Sequence, residues 1–364
     1  MNNTNQSNQL GQMQSNQKQI LGGLSLTLVV AASLVALWRG SFVSSLNADI
    51  AKLVEDTSTA HVDDDSDNTR SVILVPEQVS SIQAAINQAT DGAIIFVAPG
   101  QYRENIRIQG KNIVLHSTGG AASVSILGDG RDGPIVLIEN SKFMLDGFCM
   151  QGGRGENGRG MVLQGSNATI MNCTFTNNMG GVSLTNSQAQ FDHCAIALNQ
   201  SAVQGGGLWA WQSDVRMSDC TVNDNATGTF GGGVYALGGC MQLFNVSFMN
   251  NRVKSGAWGG GLYSDRANVN LTECVMQGNF SHESGSAMYV LDASAAIRAS
   301  SFKNNSFTGA ATVVGANAQF DIQNSILEAD NESIAAADSS NEAAIAMVQA
   351  DVIETESQMI AVKQ

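Results

Sequence analysis

Gly205 to Asn225 reads GGGLWAWQSDVRMSDCTVNDN, Gly231 to Asn251 reads GGGVYALGGCMQLFNVSFMNN, and Gly259 to Asn279 reads GGGLYSDRANVNLTECVMQGN. A spacing written three times restricts the fold more than any local motif, because each copy must be one supersecondary unit packed on its neighbours. With Cys220 as origin, apolar residues stand five and three before it (Val215, Met217) and two after it (Val222), and Asn225 follows at plus five. The same frame fits Phe148, Cys173, Cys194, Val246, Cys274, Ser300 and Ser325, in steps of 25, 21, 26, 26, 28, 26 and 25 residues.

Apolar alternations of three to five residues between Gly, Asn, Asp and Ser are strand and turn signals. Three such strands per repeat make one coil of a parallel β-helix, with each coil about 4.8 Å above the last. The predicted fold is therefore all-β, a solenoid over residues 72–330 of about nine or ten coils. A length of 364 residues would suggest two compact domains, but a solenoid grows along one axis and escapes that rule. Thirty-eight glycines against three prolines suit its many tight turns.

Stacking turns sequence offsets into columns. At plus five the column reads Asn178, Asn199, Asn225, Asn251, Asn279, Asn305 and then Asp330, amides able to hydrogen-bond from coil to coil. At the origin, Cys173, Cys194, Cys220 and Cys274 fall in line with Val246, an inward column in which free Cys serves as a small apolar residue. A metal or redox role for these thiols is the less favoured alternative, and their side-by-side arrangement is unlike disulfide geometry. Asn-x-Ser/Thr sequons at Asn167, Asn225, Asn245 and Asn270 owe part of their frequency to the Asn column.

Outside the repeat, residues 1–19 are almost wholly polar and expected to be disordered. Ile20 to Trp38 carries no charge and is bracketed by Lys18 and Arg39. This is the length of a membrane-spanning helix, read as an uncleaved signal anchor, with a cleaved signal peptide as the alternative. Residues 39–71 form an acidic linker. "SSIQAAINQA" places Ile82, Ala85, Ile86 and Ala89 on one helical face behind an N-cap serine, a helix that would cap the solenoid's N-terminal end. Residues 331–364 are Ala-rich with near-helical spacing and are expected to form a C-terminal helical cap or tail.

The stretch SIQAAINQATDGAIIFVAPGQYRENIRIQGKNIVL, Ser81 to Leu115, resembles the opening of right-handed parallel β-helices of the pectin-lyase-like group. Pectin methylesterases share its Gly-x-Tyr-x-Glu element, here Gly100, Tyr102 and Glu104. The coils from Met161 onward are similar to repeats of polymorphic outer-membrane proteins and NosD-like proteins. The resemblance implies a right-handed solenoid and an extracytoplasmic setting. It carries over no catalytic residue, because the aspartate, arginine and histidine motifs of the methylesterases, polygalacturonases and alginate epimerases are absent.

Two surfaces remain as candidates. Eleven residues before each origin stand Trp209, Tyr235, Tyr263 and Tyr289, between apolar neighbours at minus twelve and small or apolar ones at minus ten. Alternation turns this column outward, beside glycines at minus thirteen (Gly207, Gly233, Gly261) expected to leave an open floor. Such a strip can take sugar rings, or its rings can stabilise one another by stacking. The bend at minus two and minus one collects Asp146, Asp192, His193, Asp219 and Glu273 near Arg216. Asp192, His193, Arg216 and Asp219 are the candidate catalytic group for general acid–base work; alternatively, two acids and an arginine there could hold calcium and an acidic sugar. A polar solvated corner is the plainer reading. Asp265, Arg266 and Asp292 form a second cluster beside the aromatic column.

The formal net charge of −14 disfavours nucleic acid as a partner. The expected function is an exported or membrane-anchored binding or structural module, monomeric and without a cofactor, that engages polysaccharide or glycoconjugate. The alternative is a polysaccharide lyase or carbohydrate esterase acting on acidic polysaccharide.

Overall fold

A computed structural model describes residues 71–254, 256–307 and 312–327, with two short stretches at 334–336 and 348–349. The expected polar leader, the apolar segment 20–38 and the linker up to residue 70 lie outside the described residues. Among the described residues no helix is long and apolar enough to cross a membrane. Most of the expected C-terminal helix also lies outside them. The parts described there are strands, Ile334–Ala336 and Val348–Gln349, paired in parallel with the coil before them. They extend the ladder and satisfy backbone groups that a helix end would leave open.

From Val72 onward the chain winds into a parallel β-solenoid. One coil shows the plan: Leu208–Ser218 bends at Gln212, Thr221–Asn223 follows, and Ala226–Thr227 closes the turn. The two halves of the long strand belong to the first and second faces, whose strands join into one 20-stranded sheet; the third face is a separate ten-stranded sheet. A two-residue strand directly after each of Asn199, Asn225, Asn251, Asn279 and Asn305 forms a further five-stranded ladder, too short for alternation to reveal it in the sequence.

Register follows the repeat. Thr221 pairs with Ala195 above and Ser247 below, so like residues stack, and inward positions such as Val215, Met217, Cys220 and Val222 are buried. The corners explain the polar bends. Asn172, His193, Asp219, Asn245 and Glu273 all have φ between 49° and 56°, the left-handed region that Asn, Asp and His enter most readily among residues with a Cβ.

The Asn column is a continuous amide ladder. Asn178, Asn199, Asn225, Asn251 and Asn279 each donate from Nδ2 to Oδ1 of the next Asn at 3.0–3.1 Å. That same Oδ1 accepts the backbone N–H of the Asn above. Asn225 is 0% exposed, so its sequon is sealed. The six cysteines are free. In the origin column Sγ of Cys194, Cys220 and Cys274 donates to the carbonyl two residues back, and Ser300 Oγ does the same. Burial pushes the Cys173 thiol up to about 12 and the Cys274 thiol up to about 11, which suppresses the reactive thiolate.

At the N-terminal end the helix α1, Ile82–Gln88, lies over the first coils with Ile82, Ala85 and Ile86 buried. Ser81 accepts from the Ala84 N–H at 3.1 Å. Glu104 accepts the Ile82 and Gln83 N–H groups at 2.9 and 3.0 Å, and Lys111 Nζ donates to the carbonyls of Ile86, Asn87 and Ala89.

Candidate functional site

The aromatic column is built as the repeat predicts. Trp209 pairs with Tyr235, Tyr235 with Tyr263, and Tyr263 with Tyr289. The three tyrosines face out of the solenoid and form an apolar cluster separate from the interior core. Tyr235 and Tyr263 stack at 5.4 Å with planes 6° apart, and Tyr263 and Tyr289 at 5.3 Å with planes 4° apart.

The strip is nevertheless not the open one expected. Tyr235, Tyr263 and Tyr289 are only 7%, 5% and 7% exposed, because a second layer lies over them. Phe230 sits 5.0 Å from Tyr263, Trp258 stacks 5.5 Å from Tyr289, and Phe230 and Trp258 stack on each other at 5.3 Å. Both residues immediately precede a glycine run. Trp258 arrives on the longest coil, the step of 28 residues. The outer surface of the patch is therefore Trp209, Phe230 and Trp258, partly buried, with Trp211 beside them at 39% exposure.

The glycine column is not an open floor either. A Cβ on Gly207 would lie 2.7 Å from the Gly233 carbonyl and 2.9 Å from Asn225 Nδ2, and Gly233 meets the next coil in the same way. These glycines face inward because the amide ladder and the adjacent backbone leave no room for a side chain.

Polar groups edge the aromatic face. Asp265 lies two residues beyond Tyr263, in an outward column with Leu237 and Leu291. Arg266 Nε reaches back to Asp265 Oδ1 at 2.7 Å, and Asn317 Nδ2 donates to Asp292 Oδ1 at 3.0 Å. Burial raises the Tyr263 phenol above its ordinary range, and the neighbouring Tyr289, Asp265, Tyr235 and Asp292 push it further. It is a hydrogen-bonding hydroxyl at neutral pH, not a base.

The corner candidates are partly brought together. Asp192, His193 and Asp219 each offer one ligand atom within 4.8 Å of the others. His193 Nδ1 lies 3.2 Å from Asp192 Oδ2, while Asn245 Nδ2 donates to Asp219 Oδ1 at 2.6 Å. Two carboxylates and an imidazole suit a divalent ion. Arg216 is exposed in the outward column between Gln190 and Gln242.

One corner arrangement escaped the sequence reading. Asp146 Oδ2 accepts from His116 Nδ1 at 2.9 Å and Oδ1 accepts from Asn172 Nδ2 at 2.8 Å. Burial alone would raise this carboxyl, but the two hydrogen bonds and the His116 charge outweigh it and hold the group below the usual Asp value. His116 lies one coil before Asp146, a relation that the register supplies once the first coils are aligned.

The family model described as "Right handed beta helix region" matches residues 101–307, more than half of the chain. Among solved structures, a pectin methylesterase from carrot is 16% identical, with 69% of this chain and 86% of that chain covered and a TM-score of 0.39. Pectate lyase Pel9A is 12% identical, with 69% and 78% covered and a TM-score of 0.46. The ORF18 protein of Geobacillus virus E2 is 13% identical, with 73% and 61% covered and a TM-score of 0.42. No curated protein matches the chain. With parallel register, stacked columns and the family match in agreement, the chain belongs to the right-handed β-helix family.

Proposed function

We propose that this solenoid is a surface binding module that takes a polysaccharide or glycoconjugate on the aromatic face, carried outside the cytosol by the apolar segment 20–38. The observation that supports the reading is the two-layer aromatic cluster. It lies outside the solenoid core and so is not needed to fill it. Its tyrosine layer is a rigid backing. Trp209, Trp211, Phe230 and Trp258 supply the contact surface, on which the apolar faces of sugar rings can stack. Asp265, Arg266 and Asp292 provide hydrogen-bonding groups at its edge, the usual composition of a site that is mostly apolar with a few placed polar groups.

Retention of the full-length chain on a panel of immobilised glycans, with product formation followed in parallel, tests the proposal. Trp258→Ala is expected to lower retention about tenfold, equivalent to about 1.4 kcal/mol, with no turnover by the unsubstituted chain. Product formation abolished by Asp219→Asn or Asp192→Asn would replace the binding module with an enzyme. Retention unchanged in both Trp258→Ala and Trp211→Ala would move the contact off this face.

A further inference from the structure

The outward column beside the tyrosines reads Trp211, Leu237, Asp265, Leu291 and Ala316. One carboxylate thus stands in an outward column that is otherwise apolar. Its side chain is 17% exposed. Arg266, at the left-handed corner with φ 52°, donates one hydrogen bond to each oxygen, from Nε to Oδ1 at 2.7 Å and from Nη2 to Oδ2 at 3.4 Å. A carboxylate has about four lone-pair sites, so acceptor capacity remains for a ligand hydroxyl after Arg266 is satisfied. On the next coil Asp292 occupies the corner column of Arg266 and is held by Asn317.

Charge at this face is lopsided. Two carboxylates stand against one guanidinium; Arg266, with 64% of its side chain exposed, and Asp292 are open to solvent, while Asp265 is half-buried. Asp265 and Asp292 both add to the upward displacement that burial imposes on the Tyr263 phenol, while at Tyr235 Arg266 works against Asp265. The chain as a whole carries −14.

We infer that the aromatic face selects uncharged, hydroxyl-rich glycans and rejects acidic ones, with Asp265 as the specificity-determining acceptor. The inference rests on the glycan-binding reading above. A sugar carboxylate or sulfate placed over the Tyr263–Asp265 strand would face two carboxylates. Arg266 pairs with Asp265 and the neutral Asn317 holds Asp292, so a net negative charge remains beside the half-buried Asp265, where like charges repel more strongly than in water. A neutral sugar meets the same group as an acceptor for its hydroxyls, and charge-assisted hydrogen bonds of this kind are the stronger ones.

The test is retention of the full-length chain on immobilised neutral glycans (β-glucan, xylan, mannan) and acidic glycans (polygalacturonate, a sulfated galactan), at low and high salt. A preference of at least about tenfold for one or more neutral glycans at low salt is expected, narrowing as salt screens the repulsion. Asp265→Asn, and separately Asp292→Asn, should raise retention on the acidic glycans, with the fold of each variant verified by its thermal transition. Equal or better retention on acidic glycans, or a neutral preference unmoved by both substitutions, overturns the selectivity and leaves the glycan reading standing. Retention on neither class overturns both.

Discussion

Asn251 uses its whole side-chain hydrogen-bonding capacity. Oδ1 accepts from the backbone N–H and Nδ2 of Asn225, and Nδ2 donates to the Val222 carbonyl at 2.7 Å and to Asn279 Oδ1 at 3.0 Å. No other residue type supplies two donors and a doubly accepting oxygen at that reach. Asn251→Ala would orphan groups on both neighbouring coils, each costing about 1–3 kcal/mol when buried. A loss of about 3 kcal/mol or more in denaturant unfolding is expected, against under about 1 kcal/mol for an exposed polar substitution such as Gln101→Ala. Asp146 lends itself to a pH experiment. Its folded pKa lies below the unfolded value, so its contribution is fully present above about pH 4 and is lost as pH falls through the lower folded value. Asp146→Asn should therefore lower Tm at neutral pH and flatten the acid limb of the Tm profile, whereas an unchanged acid limb would show that His116 and Asn172 contribute nothing. The inward column, the amide ladder and the polar bend at Asp146 are legible from spacing alone. The partners of Asp146 are not, because His116 stands in a coil before the clear repeats begin.

At the scale of elements, the cap shows how far local signals reach. Ser81 and the Ile82, Ala85, Ile86 face mark the helix in the sequence, and the structure buries that face. Seven residues make two turns, too few to hold a helix in water. What holds it is tertiary: Glu104 closes its N-terminus and Lys111 its C-terminus, from 21 or more residues away. Both charges also oppose the helix dipole correctly. Glu104→Gln keeps one acceptor oxygen and loses the charge, so a loss of about 1–2 kcal/mol is expected. Amide exchange in Ile82–Gln88 should speed up while exchange in the coils around Cys220 stays unchanged. Uniform acceleration along the chain would instead mean that the cap and the coils open as one unit. The Gly-x-Tyr-x-Glu element thus has a mechanical role here, with Tyr102 donating to the Ala98 carbonyl at 2.8 Å and Glu104 clamping the helix.

For the whole molecule, the governing quantity is the sequence distance between spatial neighbours. In a solenoid nearly every contact joins residues one coil apart, about 21 to 31 positions in the hydrogen-bond ladders. A fixed offset in the sequence is then a fixed contact in space. That is why the repeat alone determined the β class, the register, the Asn and Cys columns and the outward facing of the tyrosines. The cover over those tyrosines was decided only in three dimensions. Trp258 comes from a loop two residues longer than its neighbours and Phe230 from one of the ordinary length, and loop conformation depends on what the loop packs against, not on the spacing of the strands. The glycine column was settled in the same way. Its inward face follows from the backbone of the adjacent coil and the amide ladder, which exist only once the coils have stacked.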